Sequence, residues 1–391
     1  MERGGSDLHI SAARKPIFRI DGDMVTSDHP VQSDENIQEM MRGMMDARAL
    51  EEYKTGSDTD FAYEIKGLAR FRVNVFEDRF GMGAVFRCIP SKVLSADDLN
   101  LPDGVRDLCN LSKGLVVVTG PTGSGKSTTL AALIDLINQT QPNHIITIED
   151  PIEFVHAEKK CLINQRQIKD HTDSFAKALR AALRQDPDIV MVGEMRDLET
   201  IEIALETAET GHLVFGTLHT TTAASTMDRI IDAFPAGRQN QIRSMLSNSL
   251  KAVIAQTLCK KTGGGRVAAL EILKVDSGIS ALIRDGKIHQ IPSAMQVGGA
   301  KGMILLNRAL LEMVMSGEVD AKEAYIKAID KDALLEDFAK NGVRVSFLDR
   351  TNIPEANKPV LPLSPDQVSE PVKEKETLET FEKKRRNLFG K

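Results

Sequence analysis

The sequence predicts an α/β protein with two domains. After Leu111, apolar strand-like runs alternate with amphipathic helix-like segments, the pattern of a parallel sheet with crossover helices on its faces. Before Lys92, short strands and turns accompany one helical stretch, as in a smaller α+β domain. The length of 391 residues also favours two domains and a tail.

In the first domain, residues 35–53 have a helical pattern and residues 69–76 alternate with period two. Phe71, Val73 and Val75 share one face of that predicted strand, while its arginines share the other. The polar connection at 95–104 contains acids, a proline and a glycine, so we expect an interdomain hinge there.

The second domain contains the clearest alternation. We expect strands at 115–119, 145–148, 189–192 and 213–218, and helices near 126–138, 174–184, 198–209, 239–258, 304–316 and 321–328. Beyond Ser346 the pattern fails, because five prolines and a charged run replace the apolar residues. We expect a disordered tail, with a transient helix near 375–385. The predicted domains are therefore 1–95, a linker at 96–104, 105–345, and the tail at 346–391.

Composition excludes several classes of protein. Hydrophobic residues make up 41% of the chain and charged residues 27%, as in soluble globular proteins. The net charge of −6 gives no general attraction to phosphate backbones or anionic lipid, so we expect no nucleic-acid partner. No apolar stretch approaches the ~20 residues of a membrane helix, and a signal-peptide core is lacking, so we expect a cytosolic protein.

The four cysteines give no sign of a zinc site or a disulfide framework. Cys88, Cys109, Cys161 and Cys259 are widely separated and form no C-x-x-C pair. We expect free, buried thiols.

Residues 120–127 read GPTGSGKS and match the phosphate-loop pattern G-x-x-x-x-G-K-[ST] between an apolar strand and a helix. The glycines let backbone N–H groups converge on phosphate oxygens, and the helix N-terminus adds partial positive charge. We expect Lys126 to neutralise the outer phosphates of ATP, and Ser127 to offer a hydroxyl to Mg²⁺. The expected nucleotide-binding residues are Thr122, Gly123, Ser124, Gly125, Lys126, Ser127 and Thr128.

Hydrolysis also requires carboxylates near the phosphates. The strand at 145–148 runs into EDPIE at 149–153, and the strand at 189–192 runs into Gly193 and Glu194. Both sets of acids follow their strands at the carboxyl edge, where the phosphate loop also lies. We expect Glu153 and Glu194 to be catalytic, with Glu194 and Ser127 at the metal. Helix capping and turn hydrogen bonds are the alternative interpretation of these acids.

Histidines and arginines give weaker signals. His212 and His219 flank the strand at 213–218, and they are either structural or sense the γ-phosphate of ATP. Arg70, Arg72 and Arg87 belong to the first domain. They either form a solvated strand face or neutralise the transferring phosphate after the first domain folds over the nucleotide.

Four motifs together resemble those of the secretion-type ATPases, and most of all the ATPases that retract type IV pili. They are similar to the family's Walker A motif, Asp box, Walker B motif and His box. The segments are GPTGSGKS at 120–127, EDPIE at 149–153, DIVMVGEMRD at 188–197 and TGHLVFGTLHT at 210–220. The similarity covers roughly residues 5–328, including SDLH at 6–9 and GLARFR at 67–72.

The resemblance implies a PAS-like α+β N-terminal domain joined to a RecA-like P-loop ATPase domain, with nucleotide between them in a homo-hexameric ring. It implies that Mg-ATP hydrolysis is coupled to pilus retraction and twitching motility. It further implies a location at the inner face of the cytoplasmic membrane, where the platform protein of the pilus machine is the partner and mediates any membrane contact. The implied catalytic residues are Glu153, Glu194, His212, His219, Arg72 and Arg87.

Two features depart from the family's pattern. The retraction motif A-I-R-N-L-I-R-E appears here as GISALIRD at 278–285, so Ser280 and Ala281 replace an arginine and an asparagine. This departure bears on retraction rather than on ATP hydrolysis. The chain also begins almost at SDLH, so we expect the short helix that usually precedes this motif to be missing here.

Three alternatives remain. An ATPase for pilus extension or type II secretion would usually carry a longer N-terminal region and a four-cysteine zinc insertion, and this chain has neither. An enzyme acting on nucleic acid is disfavoured by the acidic composition. A non-catalytic ring subunit is disfavoured because all the expected acids are present.

Overall fold

Two β-sheets organise the described residues, and the first packs on one hydrophobic core while the second has a core on each face. The computed structural model describes residues 5–20, 23–56, 58–65, 68–89, 93–345 and 347. Met1–Arg344 form one compact unit. Within it, the part built on the first sheet is called the first domain and the part built on the second sheet the second domain. Apart from Phe347, the tail at 346–391 lies outside the described residues, so its predicted disorder stays a prediction.

Within the described residues, the first sheet has six antiparallel strands in the order β3-β2-β1-β6-β5-β4. They are β1 (Gly5–Ser11), β2 (Ile17–Ile20), β3 (Asp23–Thr26), β4 (Thr59–Ile65), β5 (Ala69–Asp78) and β6 (Gly81–Ile89). Val73 and Val75 are fully buried while Arg72 is exposed, which confirms the alternation predicted for 69–76.

Helices α1 (Asp34–Met44) and α2 (Ala47–Lys54) pack against this sheet through Ile37, Met41 and Ala49. The prediction of one helical stretch at 35–53 was wrong in one respect. The side chain of Asp46 accepts a hydrogen bond from the Ala49 N–H and starts a second helix, because Asp satisfies the free N–H groups of a first turn.

In the part of the chain that the structure describes, the second sheet has seven strands in the order β13-β12-β7-β11-β10-β8-β9. They are β7 (Gly114–Thr119), β8 (His144–Glu149), β9 (Leu162–Gln167), β10 (Ile189–Val192), β11 (Leu213–Leu218), β12 (Leu250–Lys260) and β13 (Arg266–Lys274). All neighbours pair in parallel except the β12–β13 pair. The predicted α/β class is confirmed.

Helices cover both faces of the second sheet, because its central strands are apolar on both sides. Leu115 and Val117 of β7 face one core, while Val116 and Val118 face the other. The helices are α3 (Asp103–Arg106), α4 (Lys126–Thr140), α5 (Phe175–Ala182), α6 (Leu198–Glu209), α7 (Ala223–Asp232), α8 (Ala236–Ser249), α9 (Ser277–Arg284), α10 (Ile291–Val297), α11 (Leu306–Met315), α12 (Ala321–Lys327) and α13 (Lys331–Lys340).

The four predicted strands and most predicted helices of this domain are confirmed, but the helix predicted at 239–258 was wrong. Helix α8 ends at Ser249, and the chain continues as β12 beside β7 in the sheet. A short apolar run satisfies either a buried helix or a buried strand, so periodicity alone did not separate the two.

The connection predicted as a hinge at 95–104 is packed against the second domain. Ala96, Leu101 and Val105 are buried in the core that also contains Val116 and Val118. Because these side chains are committed to that core, any hinge between the two sheets must precede Ala96.

The cysteines are free thiols, as predicted. Cys109, Cys161 and Cys259 are buried and Cys88 is half-buried, and burial raises the pKa of Cys109 to about 12. No helix among the described residues is long and apolar enough to cross a membrane.

Candidate active site

The phosphate loop lies between the central strand β7 and the N-terminus of α4. All six residues of β7 are buried, so the strand fixes the start of the loop rigidly. Gly120 has φ +146°, and a Cβ there would lie 2.3 Å from the carbonyl oxygen of Gln256. Gly125 has φ +88° at the start of α4. Only glycine tolerates both the conformation and the contact, which explains these motif positions.

Gln256 on the neighbouring strand β12 supports the loop, and it was not among the residues predicted from the sequence. Its Nε2 donates to the carbonyl oxygen of Ser124 at 2.7 Å. The Gln256 Oε1 and Ser124 Oγ atoms are buried and have no hydrogen-bond partner in the described structure. The incorrect prediction of a helix at 239–258 gave no reason to place this residue near the loop. In the structure it lies on β12, which pairs with β7.

Lys126 is bound to the loop itself and lies near two carboxylates. Its Nζ donates to the carbonyl oxygens of Gly120 at 2.8 Å and Pro121 at 3.2 Å. Burial lowers its pKa, while the charges of Glu194 and Glu153 oppose that shift. Both predicted catalytic acids therefore lie within electrostatic range of the phosphate-loop lysine.

Glu194 is held by two cationic or hydrogen-bonding side chains. His219 Nε2 donates to Glu194 Oε1 at 2.6 Å, and Arg196 Nε lies 2.5 Å from the same oxygen. Burial raises the pKa of Glu194, but the hydrogen bonds from Arg196 and His219 outweigh it and hold the pKa below its ordinary value. The carboxylate is therefore ionised at neutral pH. Arg196 was not among the expected site residues, although it lies within the predicted Walker B segment.

Glu149, at the end of β8, organises the loop that presents Glu153. Its buried carboxylate accepts hydrogen bonds from the Thr147 hydroxyl at 2.6 Å, from Gln165 Nε2 at 3.2 Å and from the Glu153 N–H at 3.4 Å. Burial raises the pKa of Glu149. The Glu153 side chain is exposed, so Glu149 supports the loop and Glu153 is available for chemistry.

His219 and His212 lie at opposite ends of the central strand β11. Strands β7 and β11 pair in parallel with Leu218 beside Thr119 and Leu213 beside Gly114. His219 therefore follows its strand at the phosphate-loop edge, and His212 precedes the strand about 20 Å away. His212 Nδ1 lies 3.2 Å from the Thr207 carbonyl oxygen, a structural contact. Within one chain, the structure therefore does not bring His212 to the phosphate loop, and its predicted role in sensing the γ-phosphate stays a prediction.

A cleft of about 660 Å³ opens beside the phosphate loop, within the roughly 300–1,000 Å³ of small-molecule sites. It is lined by Pro121, Thr122, Glu194, Met195, Arg196, Leu218, His219, Thr220 and Arg229. Thr220 is fixed there, because its Oγ1 lies 2.7 Å from the hydroxyls of Thr119 and Thr226. Arg229, on α7, is a further cationic side chain that sequence reasoning missed.

The arginines of the first domain do not line this cleft. Arg72 and Arg87 face each other across β5 and β6. Arg87 donates to Asp7 Oδ1 at 2.8 Å with its side chain 68% exposed, and Arg72 lies 3.5 Å from Asp60. The structure brings the two arginines together on one face, as the register of the strands requires. Contact with a nucleotide on the phosphate loop would need a domain movement or a neighbouring subunit.

Ser127 and Glu194 are the residues that could hold Mg²⁺. A hydroxyl and a carboxylate provide the hard oxygen donors that Mg²⁺ prefers, and the ion usually completes its shell with water and substrate phosphates. Ser127, at the first turn of α4, is half-buried next to Lys126. This donor set fits a metal bound together with a nucleotide.

Comparisons with known proteins agree with this geometry. The family described as Type II/IV secretion system protein matches residues 1–264. The chain is 52% identical over 327 residues to the type IV pilus retractation ATPase PilT of Pseudomonas aeruginosa, covering 84% of this chain and 95% of the relative. It is 51% identical over 320 residues to a twitching motility protein of Neisseria gonorrhoeae, covering 82% and 86%.

The fold is similar to a crystal structure of the pilus retraction motor PilT with bound ADP. The TM-score is 0.81 at 46% identity, covering 86% of this chain and 96% of that one. Similarity to the type II secretion system ATPase E of Vibrio cholerae is lower, 36% over 271 residues, covering 66% of this chain and 52% of that relative.

Proposed function

The chain belongs to the type II/IV secretion system protein family and is an ATPase, and from this premise we propose that it is the motor that retracts a type IV pilus. The observation that carries the proposal is the cleft beside the phosphate loop, which Glu194 and His219 line and where the charge of Glu194 acts on Lys126. The identity of 52% to a retraction ATPase, over 95% of that relative's length, supports the assignment to retraction.

The site residues divide the chemistry of hydrolysis. The phosphate loop would bind the nucleotide through its backbone N–H groups, and Lys126 would exchange the carbonyl oxygens of its loop for phosphate oxygens. Ser127 and Glu194 would hold Mg²⁺, which supplies charge neutralisation at the phosphates. Glu153 would orient and deprotonate the attacking water, and His219 would fix the Glu194 carboxylate.

The finer parts of the proposal concern assembly. We expect a homo-hexamer on the cytoplasmic side of the inner membrane, working on the platform protein of the pilus machine. The first domain would close on the nucleotide and carry Arg72 and Arg87 to the phosphates. Repeated closure around a ring would convert hydrolysis into displacement of a central partner.

The changed retraction motif is compatible with this role, because the helix that contains it is intact. Ile279 and Ile283 are buried and attach α9 to the core of the second sheet. The departures, Ser280 and Ala281, are half-buried positions beside them. The two buried isoleucines are themselves retained from the motif.

A pilus-extension or type II secretion ATPase is the alternative function. The chain spans only 52% of its type II secretion relative, against 95% of the retraction ATPase. Sequence identity is also lower, 36% against 52%, and this difference favours retraction.

Two measurements test the function together. Purified protein should hydrolyse ATP, and Lys126→Ala should abolish turnover because the variant cannot offset the phosphate charge. Cells that lack the gene should keep or accumulate pili and lose twitching, and the wild-type gene should restore it where Lys126→Ala does not. Cells that lose their pili instead would favour the extension alternative, and wild-type turnover by Lys126→Ala would contradict the site.

A further inference from the structure

Gln167, the last residue of β9, connects the first domain to the loop that carries Glu153. Its side chain is 4% exposed. The Oε1 atom accepts hydrogen bonds from the Ile152 N–H at 3.1 Å and from Arg70 Nη2 at 3.0 Å. Ile152 precedes Glu153, and Arg70 lies on β5 of the first domain. One buried oxygen therefore binds both domains.

The other end of the same amide leads to the first domain as well. Gln167 Nε2 donates to Asp170 Oδ2. Asp170 Oδ1 accepts a hydrogen bond from Arg48 Nη2 at 2.7 Å, and Arg48 belongs to α2 of the first domain. Arg70 therefore binds the Oε1 atom of Gln167 directly, while Arg48 is connected to its Nε2 atom through Asp170.

The chemistry of an amide makes this arrangement sensitive to domain position. A carbonyl oxygen has two lone pairs, and both are used here by donors from different domains. A buried polar group that loses a partner carries a desolvation cost unless it finds another. When Arg70 leaves, Gln167 Oε1 keeps only the Ile152 N–H, and when Arg48 leaves, Asp170 loses a charged partner. Both losses free the amide to reorient, which would change its bond to Ile152.

We propose that Gln167 is a positioning residue that couples the docking of the first domain to the placement of Glu153. The inference rests on the proposed function, specifically on the catalytic role of Glu153. Gln167 acts through the Ile152 N–H and does not itself contact the reacting atoms. The domain that closes during the motor cycle thereby controls the carboxylate that orients water.

Gln165 provides a matched control on the same strand. It lies two residues before Gln167, on the same face of β9. Its Oε1 accepts from the His156 N–H at 2.9 Å, and its Nε2 donates to the Phe154 carbonyl oxygen at 2.8 Å. Within the described residues, the side-chain hydrogen bonds of Gln165 all stay inside the second domain. It supports the same loop through hydrogen bonds that do not involve the described residues of the first domain.

A double-mutant cycle in steady-state ATP hydrolysis by the full chain tests the coupling. We expect Gln167→Ala and Arg70→Ala each to lower kcat by about tenfold with KM for ATP little changed, since the phosphate loop is untouched. The double variant should be no slower than either single variant, because both remove the same connection. Gln165→Ala combined with Arg70→Ala should instead multiply the two single effects.

The outcomes separate this inference from the proposed function. Glu153→Gln is the reference variant, and turnover at the wild-type rate would remove Glu153 from the catalytic residues and the inference with it. If Glu153→Gln is inactive but the effects of Gln167→Ala and Arg70→Ala multiply, the site stands and the coupling is wrong.

Hydrogen exchange gives a second readout that does not depend on Gln167→Ala folding. In Arg70→Ala, a peptide covering 150–155 should exchange faster than in the wild type, because the Ile152 N–H loses a fixed acceptor. Unchanged protection of that peptide would overturn the coupling.

Discussion

At the scale of single residues, the two histidines that flank β11 show that position in the fold, rather than residue type, decides a role. His219 contacts Glu194 in the cleft, while His212 contacts a carbonyl oxygen at the other end of the strand. We expect His219→Ala to lower kcat by roughly 100-fold, because the Glu194 carboxylate loses the hydrogen bond that positions it. His212→Ala should stay within about a factor of two, as for substitutions away from a site. Equal losses in steady-state ATP hydrolysis would contradict the assignment.

His156 gives the protein a pH-dependent stability. Burial lowers its pKa from the ordinary 6.5 to about 4, and its Nδ1 is buried with no partner among the described residues. As pH falls through this window, the unfolded state takes up the proton first, so the free energy of unfolding decreases with falling pH. Between pH 7 and pH 5, the wild type should lose about 2 kcal/mol more than His156→Gln. Urea denaturation at the two pH values checks this, and parallel losses would refute it.

At the scale of elements, one buried carboxylate joins two helices to the sheet. Glu271 on β13 accepts hydrogen bonds from the Ala223 N–H at 2.7 Å and the Leu306 N–H at 3.3 Å, at the starts of α7 and α11. Glu271→Ala should lower the free energy of unfolding by about 2–4 kcal/mol, because two buried N–H groups lose their acceptor.

The control for this prediction is an exposed glutamate. Glu312 forms an i,i+4 ion pair with Arg308 at 2.7 Å on the surface of α11. Glu312→Ala should cost no more than about 0.5 kcal/mol in the same urea titration. Comparable losses in the two variants would mean that Glu271 does not anchor the helices.

At the scale of the whole molecule, the prediction concerns closure of the first domain. Arg72 and Arg87 lie on one face of the first sheet and outside the cleft, held by Asp60 and Asp7. If closure carries them to the phosphates, ATP should bind more tightly than ADP, and the double variant Arg72→Ala with Arg87→Ala should erase the difference. Arg79→Ala, at an exposed turn of the same domain, is the control and should preserve it.

Two measurements check the closure. Binding isotherms give the ratio of ATP to ADP affinity, and light scattering gives the mass with nucleotide present. A monomer at every concentration, or a ratio that survives loss of both arginines, would contradict the proposed ring and its closure.

The sequence by itself determined the features that depend on local pattern. Four strands and the phosphate loop were predicted correctly, because continuous apolar runs and a glycine-rich consensus are encoded within a few neighbouring residues. The sequence also indicated that the two histidines lie far apart. A six-residue strand runs between them, and such a strand places its ends about 20 Å apart.

Only the tertiary structure decided which distant segments meet. The run that contains Gln256 became a strand because β7 offered it an open edge with apolar side chains on both faces. Gln167 reads as an ordinary polar residue, yet a first-domain arginine 97 positions earlier in the chain binds its amide. These contacts join residues far apart in the chain. Local propensity does not encode them, because they depend on buried polar groups finding partners in the folded molecule.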